Sequence, residues 1–361
     1  MRLAVLALLV SLTAGFWLFT PPGLSPFELS AADRVDPEAT AARLSTLARA
    51  KVFATHDPKP ASTESADPIE CRFLYTSISG TTPKFDCTLA DGERIRVKYG
   101  QTPEIHAEVA GTHLLAALGF GADNVSMVRR VRCYGCPRWP FVSRQIAKRL
   151  HLDGFLRDRI DYDEYHDFEW VSVERRDRKK DLDFGGEEGW AFHELPKIDA
   201  SAGGATAAEV DALRLMAMFL HHWDNKAANQ RLVCTSPISP ETAKDSEEFP
   251  KCSRPLAMLQ DVGSTFGPRR VDLREWSERP VWADASNCTV SMKGFPYGGG
   301  TFPDARISEG GRRLLAHRLR QLSVSRVRSI FEYARFSDVD AWVSAFERRV
   351  AEIDKRPPCP A

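Results

Sequence analysis

The sequence predicts an α+β protein with two lobes, spanning about residues 70–355. Two patterns lead to this prediction, since segments typical of β-strands come early in the chain and segments typical of helices follow. The composition supports it, because 43% of the 361 residues are hydrophobic and can form a sizeable core. Lys plus Arg number 49, as do Asp plus Glu, so the zero net charge argues against a whole-surface nucleic-acid partner.

The first twenty residues predict export. Arg2 precedes an apolar run over residues 3–19. This run is longer than an ordinary signal-peptide core of about 7–15 residues and slightly short of the roughly 20 that span a bilayer. A cleaved signal peptide and an uncleaved signal anchor both stay open, and either would send the remainder to a periplasmic, secreted or lumenal compartment. Residues 21–69, rich in Pro, Ala, Ser and Thr, are expected to form a flexible stalk with one short helix over 38–52.

The eight cysteines fit an oxidising compartment, because an even count in an exported chain indicates disulfides. Proximity along the chain favours Cys71–Cys87 and Cys234–Cys252, although the connectivity cannot be deduced from the sequence. Cys133 and Cys136 form a Cys-x-x-Cys motif. A structural disulfide is the favoured interpretation over a redox-active pair or half of a zinc site, because no second such motif completes a four-cysteine site.

The β-rich half of the chain contains hairpins followed by one helix. The predicted strands, in order, are 71–78, 85–89, 93–99, 125–133 and 141–146. Asp91-Gly92 is a hairpin turn, and Thr102-Pro103 begins a helix that ends near Leu118, before Gly119. Residues 151–190 are expected to be charged and irregular.

The later half is predicted to be mainly helical. Thr206 and Glu209 form a capping box, and the helix behind it ends near His221 and His222. These two histidines are expected to cap the helix or to lie on the surface rather than to bind a metal. The other elements expected here are a short buried strand at 256–260 and helices at 308–336 and 339–353.

Two polar segments in this half suit phosphoryl transfer. Asp224 precedes Asn229 by five residues, and Asp261 follows a predicted strand and precedes Val262-Gly263. The first Asp can accept a hydroxyl proton, while the Asn and the second Asp hold Mg²⁺ or Mn²⁺ against phosphates. Each feature alone also fits a turn residue, but together, behind a hairpin that carries a lysine, they favour the functional interpretation.

That lysine is Lys98, and a glutamate is expected beside it. The two-residue period of the strand separates Lys98 from Ile95 and Val97, so Lys98 faces a cleft, where it can bind phosphates. Glu108 lies on an apolar helix face, where a charge needs a partner. Glu104 is the poorer candidate, because a solvated role in the first helical turn suffices for it.

Together these residues resemble the protein-kinase-like superfamily in its atypical branches. Segment 108–120 resembles the regulatory helix of the secretory-pathway kinases (Golgi casein kinase and xylose kinase type), and 260–267 resembles their metal-binding segment. Residues 79–85 and 97–99 resemble instead the nucleotide loop and lysine strand of HipA-type kinases. The Asp-x₄-Asn spacing is shared with phosphatidylinositol kinases and ordinary protein kinases.

The resemblance implies a two-lobed protein-kinase-like fold, with a β-rich N-lobe over about 70–147, a helical C-lobe over about 148–355, and ATP in the cleft. It implies that Asp224 is the base, that Lys98 binds phosphates, that Glu108 pairs with Lys98 or helps to hold the metal, and that Asn229 and Asp261 bind Mg²⁺ or Mn²⁺. The cofactor-binding residues that it implies are Gly80, Thr81, Thr82, Lys84 and Lys98.

The sequence departs from the family pattern at several points. It has no GxGxxG loop, and Trp223 replaces the His-Arg that ordinary kinases place before the base. Arg96 stands where such kinases have a small residue near adenine. The long interval between the two acidic segments contains Cys234 and Cys252, which predicts a disulfide-closed hairpin.

The predicted function is ATP-dependent phosphotransfer in an exported compartment. The alternatives are a nucleotide-binding pseudokinase, an AMP-transferring enzyme of the same fold, and a non-enzymatic, disulfide-stabilised extracellular binding module. The sequence does not indicate whether the substrate is a protein, a glycan or a small molecule.

Overall fold

The computed structural model describes residues 36–54, 68–76, 80–175, 181–185, 189–236, 249, 251–268, 271–296 and 300–360. The expected signal segment at 1–20 lies outside these residues, as does much of the expected stalk. In the described part of the chain, no helix combines the length and apolarity that crossing a bilayer requires. The short helix expected at 38–52 is α1 (Pro37–Ala48).

Five strands form a closed barrel in the order β1-β2-β3-β5-β4. They are β1 (Ile69–Leu74), β2 (Lys84–Thr88), β3 (Arg94–Lys98), β4 (Asn124–Tyr134) and β5 (Tyr165–Arg175). β1 and β4 are parallel, and the other neighbours are antiparallel. Alternate side chains, including Phe85, Ile95, Val97, Val171 and Val173, fill the interior. The intervening side chains of β2, β3 and β5 therefore lie on the outer side of the barrel.

Two expectations for this region are wrong. Residues 141–146, expected as a strand, belong to helix α3 (Pro140–Arg149). Pro140 lies in the first helical turn, where its missing N–H removes no helical hydrogen bond. The stretch 151–190, expected to be irregular, contains α4 (Asp153–Arg157) and β5.

β5 was not predicted from the sequence, because the alternation of buried and exposed side chains along this strand is interrupted. Trp170 has a positive φ of 52°. Phe168 and Val171, three residues apart, are consequently both buried, so the alternation typical of a strand is broken between them. Because β5 joins β3 and β4, the β-rich part of the chain extends to Arg175, beyond the expected boundary near residue 147.

Helix α2 (Pro103–Ala117) packs on the outer side of the barrel and begins as predicted. The Thr102 side chain accepts a hydrogen bond from the Glu104 N–H, and Pro103 occupies the first turn. Gly119 follows the helix with φ of 81°, a left-handed conformation that glycine adopts without strain.

Helix α5 (Ala207–Leu220) begins at the predicted capping box of Thr206 and Glu209. Its C-cap is His221, with φ of 57°, which is one of the two expected roles. The surface position is wrong, because His221 and His222 are fully buried.

A buried arginine explains the position of His221. Arg349 donates hydrogen bonds to the carbonyl groups of Met218 and Phe219, in the last turn of α5, and to those of Trp276 and Arg279. It also lies 3.1 Å from Nε2 of His221. The last carbonyl groups of a helix have no partner within the helix, so this side chain satisfies groups that burial would otherwise leave unpaired.

The predicted hairpin between the two acidic segments is present. β6 (Gln230–Cys234) and β7 (Pro255–Leu259) are antiparallel, and a disulfide joins Cys234, the last residue of β6, to Cys252, three residues before β7. The other disulfides are Cys71–Cys87, Cys133–Cys136 and Cys288–Cys359. The two pairs favoured by proximity are confirmed, and the Cys-x-x-Cys is a disulfide. All eight cysteines are paired, which is compatible with an oxidising, exported location.

The remaining elements are α6 (Leu273–Glu278), β8 (Thr289–Val290), β9 (Ala305–Arg306), α7 (Glu309–Gln321), α8 (Val324–Tyr333) and α9 (Val339–Asp354). The helix expected over 308–336 is therefore divided. Ser323 separates its two parts, because its side chain accepts a hydrogen bond from the Arg326 N–H and caps α8.

Candidate functional site

Lys98 lies between two carboxylates at the end of β3. The alternation of the strand places Ile95 and Val97 inside the barrel and Lys98 on its outer side, under α2. The Lys98 Nζ donates to Glu108 Oε1 at 2.5 Å and to Asp261 Oδ1 at 2.8 Å. Lys98 and Glu108 are buried, whereas 33% of the Asp261 side chain is exposed. One buried ammonium group thus joins β3, α2 and the segment that follows β7.

Two glycines allow the Asp261 segment to approach α2. A Cβ atom on Gly111 would lie 3.1 Å from Val262 Cγ2, and one on Gly263 would lie 2.5 Å from Glu104 Cγ. Larger residues at these positions would push the segment away from the helix. Beyond them, the Phe266 N–H donates to the carbonyl of Leu220 at the end of α5. The segment is therefore held between α2 and α5, with Asp261 aimed at Lys98.

The electrostatics of the three groups depend on one another. The charge of Lys98 holds the pKa of Asp261 below its usual range, with smaller contributions from other lysines. Burial raises the pKa of Glu108 to about 7, although Lys98 opposes this shift. Burial alone would lower the pKa of Lys98, but the charges of Asp261 and Glu108 raise it well above its ordinary value. Lys98 is therefore cationic and Asp261 anionic at neutral pH.

Asp224 and Asn229 lie in the loop after α5. The Asn229 Nδ2 donates to the backbone carbonyl of Asp224 at 2.6 Å, and the Asn229 carbonyl accepts from the Gln260 N–H at 3.0 Å. The second hydrogen bond thus attaches the loop to Gln260, the residue before Asp261. Burial lowers the pKa of His222 to about 4, and the charges of Asp224 and Asp261 both oppose this shift.

The Asp224 carboxylate does not contact the lysine of β3. Both of its oxygens lie 3.3 Å from Lys226 Nζ, and 22% of its side chain is exposed. Sequence reasoning missed Lys226, although its position two residues after Asp224 could have drawn attention to it. The structure therefore brings Lys98, Glu108 and Asp261 into contact, and links Asp224 and Asn229 to them through the backbone.

Asn225 fixes this loop, and no sequence signal identified it. Its Oδ1 accepts hydrogen bonds from the backbone N–H groups of Thr301 and Phe302, and its Nδ2 donates to the His222 carbonyl. The loop is consequently tied to the chain before β9, and the backbone that carries Asp224 is positioned from both sides.

The loop before β2 lies close to the same lysine. Gly80 has φ of 81°, and a Cβ atom there would lie 3.0 Å from Lys84 Nζ. Lys84 is the register partner of Lys98, and burial lowers its pKa, followed by the charge of Lys98. Thr82 donates from Oγ1 to Glu104 Oε2 at 2.5 Å. Thr81 is exposed.

Glu104 has more than the solvated role expected for it. It binds Thr82 and lies against Gly263, so one first-turn side chain connects the loop before β2 with the Asp261 segment.

Charged side chains cover the barrel surface beside Lys98. Arg94 and Arg96 both pair with the buried Asp86, and Thr76 donates to the same carboxylate. Glu174 of β5 is the register partner of Arg96, and its buried Oε1 has no hydrogen-bond partner among the described residues. This part of the barrel surface is therefore polar, which agrees with the presence of Arg96 where ordinary kinases have a small residue near adenine.

We expect Lys98→Met to destabilise the protein by about 3 kcal/mol, because it leaves two carboxylates without their cation. The loss should be larger at a pH above the Glu108 pKa of about 7 than below it, since a protonated Glu108 needs no cation. Urea unfolding at both pH values measures the effect. Lys148→Met, at an exposed lysine, is the control. Equal stability of wild type and Lys98→Met at both pH values would show that the pairing contributes nothing.

No protein-family model matches the chain, and no curated protein matches it. Among solved structures, the chain is similar to the crystal structure of the Helicobacter pylori proinflammatory kinase CtkA, with a TM-score of 0.44 and 10% sequence identity. The match covers 80% of this chain and 97% of that chain. At this TM-score, neither fold nor activity is inferred from it.

Proposed function

We propose that this chain is an atypical kinase-like phosphotransferase that uses ATP with Mg²⁺ or Mn²⁺ in an exported compartment. The observation that carries the proposal is the Lys98 ammonium group, held between Glu108 and Asp261 by segments distant in sequence. A buried lysine that is cationic at neutral pH and fixed by a helix glutamate suits phosphate binding, because catalysis of phosphoryl transfer depends on positioning and charge stabilisation.

The barrel with α2 would act as one lobe and the helical remainder as the other, with the boundary after Arg175. The phosphates would lie beneath the loop before β2. There, the N–H groups of Gly80, Thr81 and Thr82 would bind phosphate oxygens, and Lys84 would stand beside Lys98. Lys84 and Lys98 are adjacent, so their positive charges repel each other. A polyanionic ligand bound beside both lysines would relieve this repulsion.

The donor atoms present fit a divalent cation only in part. The described residues contain no group of three or more His, Cys, Asp or Glu side chains that could hold a metal ion. Asp261 offers a partly exposed carboxylate, and Asn229 offers an amide oxygen, because its nitrogen already binds Asp224. Mg²⁺ is commonly bound by one or two carboxylates plus substrate phosphates, so these two residues suit a cation that arrives with ATP. The cation would supply neutralisation of phosphate charge.

Asp224 would accept the proton of the attacking hydroxyl group. Its carboxylate is partly exposed, so a substrate can reach it, and the loop around it is fixed through Asn225 and Asn229. Lys226, at 3.3 Å from Asp224, would stand beside the phosphoryl group in transfer.

Calorimetric titration of the full chain with ATP tests this proposal. We expect ATP to bind at least about tenfold more tightly with Mg²⁺ than with EDTA, because Asp261 and Asn229 would hold the cation, which would neutralise the charge of the phosphates. Lys148→Met should bind like the wild type, whereas Lys98→Met should bind more weakly. The proposal is wrong if ATP does not bind, or if the affinity for ATP changes neither with Mg²⁺ nor in Lys98→Met.

A further inference from the structure

Exposed apolar side chains are concentrated on α3 and α4. Of the ten large apolar side chains that are exposed in the described structure, six lie between residues 139 and 155, each with 44–60% of its surface exposed. They are Trp139, Val142, Ile146, Leu150, Leu152 and Phe155. Exposed apolar side chains grouped in this way point to an interaction site, whereas single exposed apolar residues are ordinary.

Helical geometry arranges four of them as one stripe. Trp139, Val142, Ile146 and Leu150 are three or four residues apart, which places them on the same side of α3. An adjoining face of the helix packs on the rest of the protein through Pro140 and Ala147, which are buried. The stripe therefore points to solvent because the helix already has a packed face.

Polar contacts hold α3 in this orientation. The Phe141 N–H donates to the Tyr99 hydroxyl, and Arg144 donates to the Thr76 carbonyl and to Asp153 at the start of α4. The Arg144 guanidinium also lies over the Tyr75 ring, 3.5 Å from its centroid. The exposed stripe is consequently part of a defined surface.

Basic side chains outnumber acidic ones in the segment that contains the stripe. Residues 138–157 contain five basic side chains and one acidic one, Asp153, so their formal charge is 5 − 1 = +4 with His neutral. Asp153 already pairs with Arg144. The other four basic side chains are all exposed: Arg138, Lys148, Arg149 and Arg157.

We propose that this face, defined by α3 and α4, docks on the surface of an anionic lipid bilayer. Helices that lie in a membrane interface combine Trp, Phe and Leu with flanking Lys and Arg, as here, and anionic lipids attract the basic side chains. A second copy of the chain fits less well, because a symmetric contact would bring two positively charged faces together. Since Phe141 contacts Tyr99, next to Lys98, docking would hold the proposed phosphotransfer site near the bilayer.

Vesicles of phosphatidylcholine, with and without phosphatidylglycerol, test the proposal on the full chain. We expect at least about tenfold stronger binding to the anionic vesicles, weakened by salt. Amide hydrogen exchange should slow over residues 139–157 when these vesicles are added. This local readout is needed because the apolar run at residues 3–19 could by itself attach the chain to any vesicle.

The double variant Ile146→Ser/Leu150→Ser should lose the exchange protection and most of the preference for anionic vesicles. Val324→Ser is the control, because Val324 is similarly exposed but lies on α8. Urea unfolding checks that both variants fold. Unchanged exchange at 139–157 in vesicle-bound protein, or an equal preference of the double variant and the wild type for anionic vesicles, would overturn the proposal. The proposal would also be overturned if the wild type and Val324→Ser self-associated without lipid and the double variant did not. That result would favour a second copy of the chain as the partner.

Discussion

Replacing Asp261 by Asn is expected to remove the Mg²⁺ dependence of ATP binding and to reduce turnover by at least about 10³-fold. The carboxylate would be the main protein ligand of the cation and is also one of the two anions on Lys98. Asn is the suitable replacement, because Asp261 has a left-handed φ of 50°, which Asn tolerates better than Ala. Calorimetry and an ADP-release assay measure the two effects.

The control for this variant is Asp163→Asn, at an exposed aspartate outside the site. It should leave ATP binding and turnover unchanged. Glu108 remains on Lys98 in Asp261→Asn, so the variant should fold, and urea unfolding checks this. If Asp261→Asn bound ATP with the same Mg²⁺ dependence as the wild type, the proposed metal ligand would be wrong.

Asp224→Asn is expected to separate catalysis from binding. A missing general base costs about 10²–10⁴-fold in turnover, whereas ATP affinity should change by no more than about threefold. The loop should keep its conformation, because Asn229 binds the backbone carbonyl of Asp224 and not its side chain. Steady-state kinetics and ATP titration provide both numbers.

Comparing the change in turnover with the change in ATP affinity distinguishes two roles for Asp224. Full turnover in Asp224→Asn would exclude Asp224 as the base. A loss of ATP affinity as large as that of Asp261→Asn would instead make Asp224 part of the nucleotide site. Asn225→Asp is not a useful control, because the Asn225 amide fixes the loop through both of its polar atoms.

Local patterns were sufficient for the elements that depend on neighbouring residues. The capping box of Thr206 and Glu209 and the Thr102-Pro103 helix start need only a few adjacent residues, and both are present. The strand period also separated Lys98 from the face of Ile95 and Val97, because the side-chain alternation of a regular strand is local.

Features that depend on tertiary packing could not be predicted in this way. The approach of Asp261 to Lys98 requires Val262 to pack at Gly111, and nothing in either segment alone indicates this contact. Helix α3 was mistaken for a strand because its three large apolar residues at 141, 142 and 146 are too few to distinguish the helical period from the strand period, and only its packing on the barrel decides between them. Glu104 was undervalued because its partner Thr82 lies in a different segment.

Phosphorus NMR of ATP and Mg²⁺ incubated with the full, disulfide-intact chain is the most direct test of the proposed phosphotransfer. The account predicts that the wild type converts ATP to ADP with release or transfer of the γ-phosphoryl group, and that Asp261→Asn and Asp224→Asn do not. AMP and pyrophosphate as products would indicate transfer of AMP instead. ATP left intact by the wild type, or converted to ADP equally fast by both variants, would contradict the account.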